Sequence, residues 1–194
     1  MNFNTPLYNL NPLNRFSDKA ENYTKYRPNY PEAAIDKILE NFALPKQIVA
    51  ADIGAGTGIS AGQLAKRGVN VIAIEPNQAM RESAEKSQNI QWKQGTAEAT
   101  NLPKSSFDII TCFLAFHWFK PEPTLLEFKR ILKPQGRLAI AFQDLNRDDE
   151  FTSIYSQLVS KAANNRPLTD FNSIIQPVKS SNYFKNIDCY KFPC

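Results

Sequence analysis

Ile48-Val49-Ala50-Ala51-Asp52-Ile53-Gly54-Ala55-Gly56-Thr57-Gly58 is the stretch on which the fold turns. An apolar run of this length, ending in a glycine cluster, reads as a buried strand that turns sharply into a helix. Four of the chain's seven glycines (Gly54, Gly56, Gly58, Gly62) fall within nine residues. Such clustering suits a backbone that must turn tightly and lie against a ligand with no Cβ atoms in the way. A tight turn without a ligand is the alternative. Helix N-termini after the strands of open sheets are where ligands bind in this kind of architecture. A dinucleotide fingerprint, G-x-G-x-x-G counted from Gly54, would need a third glycine at position 59, where Ile59 stands.

Outward from this turn, apolar runs alternate with amphipathic ones. Ile48–Ile53, Val69–Ile74, Ile90–Lys93, Phe107–Phe113 and Arg137–Phe142 read as strands. Ile59–Arg67 (closed by Gly68), Asn77–Lys86 (Asn77 as N-cap) and Pro123–Leu132 read as helices between them. Phe107–Phe113 is apolar apart from Asp108 and Thr111, as expected of a strand covered on both faces. Strand-helix-strand repetition implies right-handed crossovers, so the expected fold is α/β: a doubly wound, mostly parallel sheet. Upstream, Pro31 opens a helix carrying Ile35, Ile38, Leu39 and Phe42 on one stripe, which Leu44-Pro45 ends. Downstream, Phe151, Ile154, Leu158 and Ala162 make another helical stripe, and Ile187–Phe192 reads as a closing strand.

Composition narrows the function classes. The chain has 194 residues, 42% hydrophobic and 22% charged, as in a globular domain with a sizeable core. Its net charge of +4 arises from 23 basic and 19 acidic side chains with no Lys/Arg run, so neither nucleic acid nor a membrane is expected as partner. Met1-Asn2-Phe3-Asn4 lacks the charged and apolar regions of a secretory signal, and no apolar stretch is long enough to span a bilayer. Cys112, Cys189 and Cys194 have no paired spacing, which argues against a zinc site or a disulfide framework, and no metal is expected. A cytoplasmic, reduced setting follows as the expectation.

Two further positions carry chemistry. Glu75 follows Val71-Ile72-Ala73-Ile74, so its carboxylate emerges at the carboxyl edge of the sheet beside the glycines. One carboxylate can accept both hydroxyls of a ribose; the alternative is a solvated loop glutamate. His117, the only histidine, follows the fourth strand in Phe116-His117-Trp118-Phe119. Its unperturbed pKa lies near neutrality, which makes it a candidate general base. The favoured alternative is a loop histidine wedged among aromatics that wall a pocket, because no carboxylate is placed to orient the ring.

The Asp52-x-Gly54-x-Gly56-x-Gly58 loop resembles motif I of the class I S-adenosylmethionine (SAM)-dependent methyltransferases. The resemblance extends to Glu75, to Gly95-Thr96-Ala97-Glu98, to Leu132-Lys133-Pro134-Gln135-Gly136, and to Tyr23, Tyr26-Arg27-Pro28 and Tyr30-Pro31. The last group is similar to the N-terminal lid of the small-molecule branch that includes trans-aconitate methyltransferase and its relatives. About residues 16–145 share the likeness. It implies a Rossmann-like fold with SAM as cofactor, a small-molecule methyl acceptor, and cofactor contacts from Asp52, Gly54, Ala55, Gly56, Gly58 and Glu75. Pro76 and Met80 would offer apolar surface near the adenine, although Met80 equally suits the core. Thr96, Ala97 and Glu98 would meet the adenine edge; the family often has Asp where Thr96 stands. Arg27 would hold the SAM carboxylate, or else pack on Tyr23 or Tyr30.

The implied organisation is a lead-in at 1–15 and one domain at 16–194, with lid and helix at 16–45, the SAM-binding core at 46–145, and a C-terminal helix and edge strand at 146–194. The family's sheet ends in a sixth strand and an antiparallel seventh inserted beside it. Here Ile187–Phe192 is the last strand-like run, so a six-stranded sheet lacking the seventh strand is expected. Two rival readings remain: an incomplete, non-catalytic SAM-binding relative, and a nicotinamide-binding oxidoreductase.

Overall fold

The computed structural model describes residues 6–9, 27–42, 44–143, 149–162 and 171–193. Five strands, β1 (Val49–Ile53), β2 (Asn70–Ile74), β3 (Ile90–Lys93), β4 (Phe107–Phe113) and β5 (Leu132–Ala141), form one sheet in the order β3-β2-β1-β4-β5, every neighbouring pair parallel. Among the described residues six α-helices accompany them: α1 (Glu32–Leu39), α2 (Ile59–Lys66), α3 (Gln78–Glu82), α4 (Pro121–Ile131), α5 (Glu150–Ala162) and α6 (Phe171–Ser181). The strand order reverses at β1, between β2 and β4. That switch point opens a crevice at the carboxyl ends of the strands.

Side chains alternate across the sheet with period two and feed two cores. Ala51, Ile53, Ile110 and Cys112 join Leu125, Phe128 and Ile131 of α4 and Ile174 and Val178 of α6 on one face. Ala50, Val71, Ala73 and Ile109 join Ile35 of α1 and Ala61 and Leu64 of α2 on the other. Phe107 breaks the alternation, sharing a face with Ile110. The cause is a register shift. Phe107 pairs with Leu132 but Ile109 pairs with Arg137, so Lys133-Pro134-Gln135-Gly136 bulges out of β5. The segment just ahead of the expected strand Arg137–Phe142 is therefore an interruption within a longer edge strand, where a proline is tolerated.

Helix α3 is shorter than the expected Asn77–Lys86. Asn77 caps it by accepting from Met80 N at 3.2 Å, and Ser83 ends it, its hydroxyl donating to the Ala79 carbonyl at 2.8 Å. The stripe Phe151, Ile154 and Leu158 does lie on a helix, α5, but those side chains are exposed. Helix α6 buries Ile174 and Val178 and was masked in the sequence by its internal Pro177.

Ile187–Phe192 forms no strand, which corrects the expected six-stranded sheet to five among the described residues. Left-handed Asn182 (φ 56°) and Asn186 (φ 54°) bend the chain on either side of Tyr183 and Phe184. Those two aromatics and Ile187 then pack on the core instead of extending beside β5. No helix among the described residues is long and apolar enough to cross a membrane.

Candidate functional site

At the switch point lies a cavity of about 770 Å³, toward the upper end of the roughly 300–1,000 Å³ typical of ligand clefts. Its floor is the β1–α2 turn. Gly54, Gly56 and Gly58 all take positive φ (70°, 58° and 86°), which explains the residue type at each. They differ in surroundings. A Cβ on Gly54 would stand 2.7 Å from Ala115 Cβ and from Phe119 Cζ, so this glycine lets an aromatic ring lie against the turn. A Cβ on Gly58 would meet the Trp92 ring at 2.7 Å. A Cβ on Gly56 would meet nothing within 4 Å; the backbone there faces open space.

Glu75, at the end of β2, latches this turn. Its Oε2 accepts from Gly56 N and its Oε1 from Asn77 N, both at 2.9 Å. Burial pushes its carboxyl pKa upward, opposed by the N–H groups of Asn77 and then Gly56. Each oxygen keeps further acceptor capacity, and Glu75 lines the cavity. Pro76, beside it, also lines the cavity, whereas Met80 is buried in the core.

Asp52, like Gly58 and Met80, is not among the residues that line the cavity. It is fully buried and accepts from Ser60 Oγ at 2.6 Å and Thr111 Oγ1 at 2.7 Å. It therefore ties β1 to the first turn of α2 and to β4 rather than standing on the cavity wall. Burial raises its pKa to about 6, against the pull of the Ser60 and Thr111 hydroxyls. Ser60 itself lines the cavity.

Gly95, Thr96, Ala97 and Glu98 form a third side of the cavity. Thr96 and Ala99 exchange backbone hydrogen bonds at 3.3 Å, closing a small loop, and Glu98 Oε1 accepts from Lys120 N at 3.0 Å. Much of the remaining wall is aromatic, from Tyr8, Tyr30, Phe113, Trp118 and Phe119. Tyr30 packs on Phe113 with ring centroids 4.5 Å apart. The buried Gln63 amide fixes the Tyr30 backbone, accepting from its N–H at 3.0 Å and donating to its carbonyl at 2.8 Å.

Several of these wall residues escape a sequence reading. Tyr8 and Asn9 come from a stretch read as lead-in, and no periodicity marks a single helical turn (Leu7–Asn9). Gln63 reads as an ordinary helix position. Leu114 lines the cavity at φ 50°, a left-handed conformation costing about 1–2 kcal/mol for a side chain with Cβ. Only its place directly after β4 hints at a site.

His117 is not among the wall residues. Its ring lies 5.2 Å from Trp118 and 6.4 Å from Phe142, and Nδ1 is buried without a hydrogen-bond partner among the described residues. Burial, with the Arg27 charge second, lowers its pKa to about 4. Arg27 is thus near His117 and also off the cavity wall. Tyr23, Tyr26 and Cys194 lie outside the described residues. Among those residues no cluster of three or more His, Cys, Asp or Glu could hold a metal.

Comparison with known proteins matches residues 51–140 to the family model described as "Methyltransferase domain". A Dictyostelium discoideum protein described as a methyltransferase is 36% identical over 126 residues, 65% of this chain and 48% of that one. Among solved structures, a methyltransferase from an antibiotic biosynthesis pathway of Anabaena variabilis is 28% identical. It has a TM-score of 0.61 and covers 77% of this chain and 60% of its own. A SAM-dependent methyltransferase of Thermotoga maritima superposes with a TM-score of 0.63 over 86% of this chain and 78% of its own; at 23% identity it speaks for the fold alone. The chain spans about half the length of the curated relatives it matches. These matches do not carry the narrower likeness to trans-aconitate methyltransferase.

Proposed function

We propose that this chain is a class I SAM-dependent methyltransferase that transfers the methyl group of SAM to a small organic acceptor. The observation that carries the reading is the latch between Gly56 N–H and the Glu75 carboxylate at the cavity floor. It sets an open glycine backbone beside a carboxylate with unused acceptor capacity, which suits a ligand bearing a ribose. When bound, SAM supplies a methyl group on a sulfonium, already activated for transfer.

Glu75 accepts the ribose hydroxyls. Gly54, Ala55 and Gly56 offer a close-lying backbone, Gly58 lets Trp92 pack against the turn, and Asp52 acts through Ser60 by fixing the first turn of α2. Pro76, with Met80 behind in the core, supplies apolar surface; Thr96, Ala97 and Glu98 meet the adenine edge. Arg27 stands beside His117 and off the cavity wall, so the SAM carboxylate is not assigned to it. The aromatic wall of Tyr8, Tyr30, Phe113, Trp118 and Phe119 excludes water and orients the acceptor. His117, with its pKa lowered to about 4, is neutral at pH 7 and packs against Trp118, acting as support and not as base. A cytoplasmic setting and the division into lead-in, lid, core and C-terminal segment belong to the same proposal.

Calorimetry with SAM and with NAD tests the cofactor, and mass spectrometry of acceptor mixtures incubated with SAM tests turnover. SAM binding without NAD binding, together with a product 14 mass units heavier than one acceptor (one CH₂ gained), is expected. Binding of NAD and not SAM would overturn the reading in favour of an oxidoreductase. SAM binding without transfer to any acceptor would favour a non-catalytic relative.

A further inference from the structure

The loop Gly95–Asn101 has no regular secondary structure beyond the Thr96–Ala99 pair, yet it forms one side of the cavity. A loop that reads a ligand must be held to within about 0.5 Å, and side chains behind it must do the holding. Helix α4 supplies them. Glu127 Oε1 accepts from Thr100 N at 3.0 Å and from Thr100 Oγ1 at 2.5 Å. Arg130 binds the same carboxylate twice, Nε to Oε2 at 2.6 Å and Nη2 to Oε1 at 2.8 Å, and its Nη2 also donates to the Leu102 carbonyl at 2.8 Å. Thr100 is fully buried and the Glu127 side chain only 11% exposed, so the contact between them is shielded from competing water, while the Arg130 side chain is 39% exposed. Thr100 Oγ1 accepts in turn from Leu102 N at 3.2 Å, and Asn101 between them is left-handed (φ 58°). Arg130, as the leading cause, holds the Glu127 carboxyl below its ordinary pKa, so it is charged at neutral pH. Neither side chain lines the cavity.

We infer that Glu127 and Arg130 are positioning residues for base selectivity: by clamping Thr100 and Leu102 they hold the Thr96–Glu98 backbone in register with the cofactor's adenine. The inference rests on the SAM reading of the cavity. A purely structural clamp would change stability and weaken every ligand of the cavity alike. A positioning clamp changes which base is preferred, because a site shaped to the adenine edge discriminates against a base with other donors and acceptors.

The test measures calorimetric Kd for S-adenosylhomocysteine and for S-inosylhomocysteine, which replaces adenine by hypoxanthine, together with Tm. Wild type is expected to prefer the adenosyl ligand. Glu127→Ala should weaken it about tenfold, the equivalent of one mispositioned hydrogen bond, while the inosyl ligand weakens far less. The preference ratio therefore falls. Glu127→Gln, which keeps an oxygen acceptor at the same reach, should restore most of the ratio. If Glu127→Ala does not fold, Glu127→Gln and Thr100→Val carry the test, the latter lowering the ratio from the other partner. Equal weakening of both ligands, or an unchanged ratio in a folded variant, overturns the inference. Wild-type protein that binds neither ligand overturns the SAM reading and this inference with it; wild type that binds while the variants keep its ratio overturns the inference alone.

Discussion

Replacing Glu75 by alanine removes two kinds of interaction, which can be measured separately. Toward the cofactor, the acceptor proposed for the ribose diol is lost. Hydrogen bonds to a charged group contribute about 1.5–3 kcal/mol each, so losing two costs about 3 kcal/mol or more, roughly a hundredfold in Kd. Toward the fold, Gly56 N and Asn77 N lose the oxygens they donate to at 2.9 Å. Asn77 is 7% exposed, so its N–H finds water poorly, whereas Gly56 faces the open cavity. The loss is partly offset. Burial raises the Glu75 pKa, which means the ionised carboxylate is less favourably placed in the fold than in water. A net stability loss of about 1 kcal/mol follows, which lowers Tm by about 2–4 °C in a chain of this size. Calorimetry with S-adenosylhomocysteine reads the first effect and thermal unfolding without ligand reads the second. Unaltered affinity in a folded Glu75→Ala refutes the ribose role; unaltered Tm refutes the latch on the glycine turn.

Gly56→Val should abolish SAM binding, because its side chain projects into open cavity space and takes a strained positive φ. Gly68→Ala, at a helix end, should lower Tm by a few degrees with Kd unchanged; equal effects on Kd would place the cofactor elsewhere. The folded state resists protonation of His117, because its pKa is lowered from 6.5 to about 4. Its stabilising contribution is thus complete above pH 6.5 and is lost as pH falls toward 4, so His117→Phe should flatten stability across that window. His117→Ala should leave kcat within about tenfold; a loss of about 10²–10⁴ with acceptor KM unchanged would make it the general base after all. Arg137 Nη1 donates to the carbonyls of Ile38 at 2.5 Å and Glu40 at 2.9 Å, and its guanidinium lies 5.1 Å from the Phe42 ring centroid. Arg137→Ala should therefore cost about 1–3 kcal/mol in chemical denaturation, and an unchanged midpoint would show that water caps α1 equally well.

The fold was legible wherever a local pattern carried it. Each of the five strands lies within two residues of its expected start or end except β5. There the Lys133–Gly136 bulge joins Leu132 to the strand through pairing with Phe107, a contact between elements about 25 residues apart. Phe151, Ile154 and Leu158 show the limit of periodicity: spacing predicts a helix correctly and says nothing of which partner its apolar face meets. Ile187–Phe192 shows another limit. Strand propensity is only realised where an edge is within reach, and two left-handed asparagines direct this segment elsewhere.

The sequence by itself determined the glycine turn, the carboxylate at the end of β2 and the loop after β3, because each is a short-range signal: a strand, its end, and the next few residues. Only the tertiary structure decided which way those groups point. Asp52 sits two residues before Gly54 yet faces inward to Ser60 and Thr111, while Glu75 faces the cavity from the adjacent strand end. Tertiary structure alone also decided that Tyr8 and Leu114 line the site and that Gln63 and Glu127 stand behind it. The two supporting residues act through contacts of long sequence separation, Gln63 with Tyr30 and Glu127 with Thr100. A local pattern cannot encode such contacts, because which distant surfaces meet is settled by how the two faces of the sheet are packed.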